Sequence, residues 1–178
     1  MVGPNSTSYR EWDKEHRDAI WFAHGRTPTQ RLLTEVRPLS IEYAERLWRW
    51  VFQSKAKEDV IPLVAKNTKG WLSRLYGRSE PRYFGGTEAP SLSTLLQRHF
   101  KWATHETVFF LTRCGTGYET RWSVFVKHCE WFLGWYDEGL LFHPTAREVA
   151  VFWEDSAMYV GQRGERKLRM PGAAAEGD

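Results

Sequence analysis

The hydrophobic pattern of this 178-residue chain changes once, near Thr104, and this change constrains the fold more than any other feature. Before Thr104, apolar residues recur at helical spacing, whereas after it short β-branched and aromatic runs are separated by turn residues. Helices first and strands later are typical of the α+β class. We therefore predict N-terminal helices that cover one face of a C-terminal antiparallel sheet, which ends in a β-meander.

Helical spacing is clearest after Ser40, a residue type that often caps helix N-termini. A second helix is predicted from Pro90 to about Trp102, and another from Tyr9 to about Gly25. The apolar stripe of the helix after Ser40 consists of Ile41, Ala44, Leu47, Trp48, Val51 and Phe52.

Strands are predicted at residues 106–113 and in the three later runs "GLLFH", "EVAVFWE" and "MYVGQRG". The run "EVAVFWE" does not alternate between apolar and polar residues, which indicates a strand that is buried on both faces. Residues 119–135 fit two structures, because their ends also suit strands. A helix in this segment would have an apolar face made of Trp122, Phe125, Val126, Cys129 and Phe132.

The chain is long enough to form one domain with a sizeable core. We predict a flexible N-terminus at residues 1–8, a single domain at residues 9–163 and a disordered tail at residues 164–178. Within the domain, residues 9–104 form the helical part and residues 105–163 form the sheet part. Whether residues 1–90 form a separate module is left open by the sequence.

Composition adds an aromatic excess, since Trp, Phe and Tyr make up 15% of the chain. Such rings stabilise a core, and they are also favoured at protein interfaces. The N-terminus has no apolar signal segment, and no apolar run approaches the length of a membrane span, so we expect a cytoplasmic protein without membrane contact. Cys114 and Cys129 lack the spacing of a zinc or redox motif, and we expect two free thiols.

No motif in the sequence identifies a chemistry. Phosphate-binding glycine loops and the paired histidines of metal sites are absent from it, so we predict no cofactor, no metal and no catalytic residue that can be named. An enzyme stays an open alternative, with a site assembled from residues that are distant in sequence. The unranked candidates for that site are His99, His105, His128 and Glu119.

The stretch "WFLGWYDEGLLFH" places an acidic pair among aromatic residues. A turn explains Asp137 and Glu138 better than acid–base catalysis does, and Gly139 would supply a positive φ. Trp135 and Tyr136 would then be partly exposed beside two carboxylates. These four side chains, Trp135 to Glu138, are our candidate binding surface for a protein partner.

Basic residues are interleaved with aromatic residues in three segments of the N-terminal part. Stacking rings and cations hold single-stranded nucleic acid, so nucleic-acid binding is the second interpretation. Solvated helix faces would explain the same pattern, and a net charge of +3 is too small to decide between the two. The residues that would bind nucleic acid are Arg46, Arg49, Arg74, Arg78, Arg98 and Lys101.

Residues 106–163 contain a buried "FF" strand at Phe109 and Phe110, a helix that carries Trp122, and an "FL…D-x-G" turn that ends at Gly139. In this pattern they resemble small bacterial α+β proteins of unknown function and the immunity proteins of polymorphic toxin systems. The resemblance implies a cytoplasmic protein that neutralises a partner without catalysis. Inhibitors of nuclease toxins are usually acidic, so the net charge of +3 favours a toxin partner of another type. The matching positions are Phe109, Phe110, Trp122, Phe132, Leu133, Asp137, Gly139, Gly161 and Arg163.

From these observations we expect a non-catalytic protein that binds another protein. Its specific form would be an immunity or accessory factor in a bacterial toxin or defence system. Nucleic-acid binding and an enzyme remain the two alternatives. The identity of the partner and the oligomeric state do not follow from the sequence.

Overall fold

A computed structural model describes residues 8–12, 29–52, 82–84, 89–133, 138–153 and 157–162. These residues contain four helices and one seven-stranded antiparallel sheet, which confirms the predicted α+β class and the predicted order of helices and strands. The tail at 164–178 lies outside the described residues. None of the helices in the described part of the chain is long and apolar enough to cross a membrane.

The sheet is built around its C-terminal strands, and two short N-terminal strands form its edges. Its strand order is β1-β4-β3-β5-β6-β7-β2, and every neighbouring pair is antiparallel. Strands β5, β6 and β7 are consecutive neighbours, as predicted for the meander. The elements in chain order are α1 (Gln30–Glu35), β1 (Val36–Pro38), α2 (Ile41–Phe52), β2 (Arg82–Tyr83), α3 (Leu92–His99), β3 (Thr107–Arg113), β4 (Thr116–Arg121), α4 (Trp122–Leu133), β5 (Gly139–Phe142), β6 (Glu148–Trp153) and β7 (Ala157–Gln162).

Helices cover both faces of the sheet, whereas the sequence predicted helices on one face only. Helix α2 packs with Phe109, Phe142 and Val151 in one apolar cluster. Helices α1, α3 and α4 pack with Phe110 and Phe152 in the other. The physical reason is that neighbouring residues in β3, β5 and β6 are apolar, so that both faces need cover from water. The expectation that β6 is buried on both faces is confirmed.

Helix α2 follows the predicted boundaries, and the Oγ of Ser40 accepts a hydrogen bond from the backbone N–H of Tyr43 at 3.3 Å. The predicted stripe is buried except for Ile41, whose side chain is 53% exposed. Ile41 lies beside Gly115 in the β3–β4 turn, at the end of the sheet. Assigning Ile41 to the core was therefore wrong, while Tyr43 and Trp50 are buried although the stripe did not include them.

The segment from Ser8 to Trp12 runs along the sheet edge instead of starting a helix. Tyr9 forms an antiparallel bridge with Leu39, and the backbone N–H of Arg10 donates to the carbonyl of Pro38 at 3.1 Å. The helix predicted to begin at Tyr9 therefore does not begin there, and residues 13–28 lie outside the described part.

The ambiguous segment 119–135 begins as a strand and continues as a helix, since residues 119–121 belong to β4 and residues 122–133 form α4. The helix is broken at His128, whose φ and ψ are −123° and 20°. Gly139 begins β5 and does not have the positive φ expected of a turn residue; among the described glycines only Gly115 does, with φ of 82°. Gly139 is required for another reason, because a Cβ there would lie 2.3 Å from the Phe110 ring.

Candidate functional site

A groove of about 760 Å³ lies between α3 and the start of α4, and we call it the α3–α4 groove. It is larger than two further pockets of about 380 and 330 Å³. Its volume is within the range of small-molecule sites. The groove is lined by Ser93, Gln97, Phe100, Lys101, Trp102, Thr104, Trp122, Ser123, Val126 and Lys127.

Three aromatic rings in contact with one another form the floor of the α3–α4 groove. The ring centroid of Trp102 lies 4.6 Å from that of Phe100 and 5.0 Å from that of Trp122. Backbone hydrogen bonds fix the loop that carries Trp102, since the N–H groups of Trp122 and Ser123 donate to the carbonyls of Glu106 and Thr104. The floor is therefore held rigidly against the start of α4.

Lys101 and Lys127 give the groove a positive charge, and among the described residues that line it no side chain is acidic. The Nζ of Lys101 donates to the backbone carbonyl of Gln97 at 3.2 Å, which keeps this cation beside α3. The Nε1 of Trp102 is buried and has no hydrogen-bond acceptor within the described residues. The groove thus combines positive charge with apolar rings.

A buried histidine supports Trp102 from the sheet side. The Nδ1 of His143 accepts a hydrogen bond from the backbone N–H of Ala146 at 2.9 Å, so a neutral ring carries its proton on Nε2. That Nε2 lies 3.7 Å from the Oε1 of Glu106, whose other oxygen accepts from the N–H of Ala103 at 2.6 Å. The His143 ring lies 5.4 Å from the ring of Trp102, centroid to centroid. This contact limits the positions that Trp102 can adopt.

A second pocket of about 380 Å³ lies between α1 and α4, and we call it the α1–α4 pocket. The ring of His128 lies 4.8 Å from that of Trp131, centroid to centroid. Burial and the neighbouring Lys127 lower the pKa of His128, and Glu35 opposes this in part. The pocket is lined by Thr29, Arg31, Leu32, Glu35, Ser123, Val124, Lys127, His128 and Trp131.

The third pocket, of about 330 Å³, lies where β1 meets β4 at the sheet edge. It contains His105 and Glu119, two of the four residues considered for a catalytic site. One oxygen of Glu119 pairs with Arg37, and the other accepts from the hydroxyl of Tyr9 at 2.6 Å. The guanidinium of Arg37 also lies over the Tyr9 ring, 4.3 Å from its centroid. Because both carboxylate oxygens are engaged, this cluster is better suited to holding the sheet edge than to moving protons.

The other two candidates for a catalytic site lie away from this pocket. His128 lines the α1–α4 pocket, and His99 ends α3. Burial and the nearby Arg82 lower the pKa of His99. The four candidates therefore do not converge on one site.

Of the residues proposed for protein docking, Trp135, Tyr136 and Asp137 lie outside the described residues. Glu138 is half-buried just before β5. Their role as a docking surface therefore stays a prediction.

The residues proposed for nucleic-acid binding are divided between the two faces of the sheet. Arg46 and Arg49 lie on α2, where Arg49 pairs with Glu45 at 3.3 Å. Arg98 lies on α3 on the opposite face, and Lys101 follows that helix. Arg74 and Arg78 lie outside the described residues. Of the four described residues, Lys101 is the one that lines the α3–α4 groove.

Sequence reasoning missed Ser123 and Lys127, although both line the α3–α4 groove and the α1–α4 pocket. Their spacing of four residues places them on one side of a helix. That signal could be used only after segment 119–135 had been assigned to a helix.

The part of the chain that the structure describes contains no group of three or more His, Cys, Asp or Glu residues that could hold a metal ion. A family model described as "Protein of unknown function (DUF2947)" matches residues 9–161. This agrees with the expected likeness to proteins of unknown function, while the likeness to immunity proteins stays a prediction. No curated protein and no solved structure matches the chain.

Proposed function

We propose, for a chain that belongs to the DUF2947 family of unknown function, that the α3–α4 groove binds an organic anion with a flat apolar part. The observation that carries the proposal is the pairing of Lys101 and Lys127 with an aromatic floor, in a lining whose described residues include no acidic side chain. The proposal keeps the expectation of binding without catalysis, but its ligand is an anion in the groove and not the protein partner expected from the sequence.

The charge of the groove favours an anion. A carboxylate or phosphate between two lysines forms charge-assisted hydrogen bonds, which contribute about 1.5–3 kcal/mol each when they are well formed. The hydroxyls of Ser93 and Ser123 are further donors in the lining. A neutral ligand would use none of this charge, and a cation would be repelled.

The floor favours a flat ligand. Trp102 is the partly exposed ring of the floor, and its apolar face can take another planar group at little cost in conformational entropy, while Phe100 and Trp122 are almost fully buried. Because Phe100, Trp102 and Trp122 contact one another, the floor is formed before the ligand arrives. A preformed site binds its ligand without the entropic cost of ordering its own side chains.

The lining residues support binding rather than catalysis. General acid–base chemistry most often uses histidine or a carboxylate within reach of the reacting atom. The described part of the lining has neither, and Glu106 and His143 lie behind Trp102, bonded to backbone N–H groups.

Isothermal titration calorimetry with adenosine monophosphate, an aryl carboxylate and the neutral nucleoside adenosine tests this proposal. We expect the anions to bind and adenosine to bind at least tenfold more weakly. Lys101→Gln and Lys127→Gln should each weaken binding about tenfold, since each removes one charge-assisted bond. Arg46→Gln, on α2 across the sheet, is the matched control and should have no effect. Binding that is equal for adenosine and its monophosphate, or unchanged by both lysine variants, would contradict the proposal.

Protein binding through Trp135, Tyr136, Asp137 and Glu138 remains a separate prediction, and so do the immunity role and the cytoplasmic location. A partner captured from the native host should be lost when Trp135 and Tyr136 are both replaced by Ala. Capture that is unchanged by this double variant would count against the docking surface.

A further inference from the structure

We infer that the anion is single-stranded nucleic acid, which crosses α4 from the α3–α4 groove into the α1–α4 pocket. This inference rests on the proposed function and specifies its ligand. It uses a path other than the one that the sequence suggested, since Arg46 and Arg49 lie on the opposite face of the sheet.

The two cavities adjoin along α4. Ser123 and Lys127 line both of them, so Lys127 is a cation that a ligand in either cavity can reach. A helix with its side chains is about 10 Å wide, so a ligand that enters both cavities must be longer than one nucleotide. A chain with a phosphate between successive flat groups fits this arrangement.

Each cavity has a partly exposed aromatic ring beside the shared lysine. Trp102 lies on the α3 side, and Trp131 lies on the α1 side. The break in α4 at His128 accompanies the contact of its ring with Trp131. Two aromatic platforms with a cation between them are how proteins hold successive bases of a single strand.

Cations extend along the whole path. Arg31, whose side chain is 86% exposed, lines the α1–α4 pocket, Lys127 lies in the middle, and Lys101 lines the far groove. Glu35 is the one carboxylate among the described lining residues of the two cavities, and it pairs with Arg31 at 3.6 Å. A double helix keeps its bases stacked on one another, so the aromatic platforms favour a single strand over a duplex.

Fluorescence anisotropy with a labelled dT12 strand, the same strand in a duplex and competing adenosine monophosphate tests the inference. We expect dT12 to bind at least tenfold more tightly than the duplex or the mononucleotide. Its affinity should fall with salt at a log–log slope of about −2, since three cations on a single strand contribute about 0.7 each.

Variants separate the two proposals. Arg31→Gln should weaken dT12 binding about threefold to tenfold and leave adenosine monophosphate binding unchanged, whereas Lys127→Gln should weaken both. Arg46→Gln is again the control. If dT12 binds no tighter than the mononucleotide or the duplex, or if Arg31→Gln has no effect, the inference is wrong and the groove proposal stands. If no tested anion binds, both are wrong.

Discussion

At the scale of single residues, the most unusual contact is the buried carboxylate of Glu119 at the sheet edge. Its side chain is 4% exposed, while that of its partner Arg37 is 53% exposed. Losing Glu119 would leave a cation that water can solvate, but losing Arg37 would leave a buried anion without its countercharge. Removing one partner of a buried pair is strongly destabilising because of that remaining charge.

We therefore expect Arg37→Ala to lower the free energy of unfolding by about 2 kcal/mol, less than for a fully buried pair because Arg37 is half exposed. Arg37→Lys should cost less, since it keeps the charge. Urea denaturation measures both values, and Arg98→Ala, an exposed position on α3, is the control. A loss below about 0.5 kcal/mol for Arg37→Ala would show that the pair adds little to stability.

The phenol of Tyr9 makes stability depend on alkaline pH. Burial, together with the hydrogen bond to Glu119, raises the pKa of Tyr9 above its ordinary value of about 10. Below pH 10 the folded and unfolded chains both keep this proton, so the contribution of Tyr9 is fully present. Above pH 10 the unfolded chain releases the proton and the folded chain retains it, which favours unfolding.

The free energy of unfolding should therefore fall by up to about 1 kcal/mol between pH 10 and 11 because of Tyr9. This value allows for the partial exposure of the Tyr9 ring to solvent. Tyr9→Phe should remove this part of the decline, and Tyr83→Phe, on the exposed edge strand β2, should not. Urea denaturation at pH 8, 10 and 11 gives the comparison. Identical pH profiles for Tyr9→Phe and the natural chain would contradict this role.

At the scale of elements, α3 has a helix start that can be tested by itself. The Oγ of Ser91 accepts a hydrogen bond from the backbone N–H of Thr94 at 3.3 Å. Ser91→Ala should cost about 1 kcal/mol, and Ser91→Asp should retain most of the stability because aspartate also caps helices. Thermal denaturation followed by circular dichroism would measure both. An equal loss for Ala and Asp would mean that the cap is not the source of the stability.

The elements that were predicted correctly are those whose pattern is local. Helix α2 follows from the spacing of apolar residues, strand β6 follows from an apolar run without alternation, and Pro90 marks the start of α3. The errors arise at residues whose position is determined by tertiary contacts and not by the local sequence pattern. Ile41 has the spacing of a buried residue but lies at the end of the sheet, where its side chain is exposed. Gly139 belongs to a sequence typical of a turn, but glycine is required there because a Cβ would collide with the Phe110 ring.

The candidate site could be predicted only in part, because two separate segments, residues 93–104 and 122–127, build it. Lys101 was among the basic candidates, and Trp122 was expected in the core. Lys101 comes close to the α4 residues Trp122, Ser123 and Lys127 because α3 packs against α4. Strands β3 and β4 separate these two helices in the sequence. No local spacing contains that information.

At the scale of the whole molecule, the sheet has a protected centre and weaker edges. Strands β3 and β5 have partners on both sides and are almost fully buried. Strand β2 consists of two residues, both exposed, and β1 of three. Stability is distributed in the same way, since short and exposed elements open first.

Hydrogen exchange read by mass spectrometry should therefore show at least tenfold faster exchange in β2 than in β3 and β5, with β1 between them. The segment from Ser8 to Trp12 should shield β1, because Arg10 and Ser40 form backbone hydrogen bonds between the two. Uniform exchange across all seven strands would contradict this gradient.

The strand order also determines when each strand can pair during synthesis of the chain. Each outer strand is translated before the strand with which it pairs. Strand β1 pairs with β4, and β2 pairs with β7, the last strand of the sheet. In a nascent chain on the ribosome, β1 consequently stays unmatched until residues 116–121 have been translated, and β2 stays unmatched until residues 157–162 have been translated. During that interval the chain depends on its own helices, or on a chaperone, to avoid pairing with a neighbouring polypeptide.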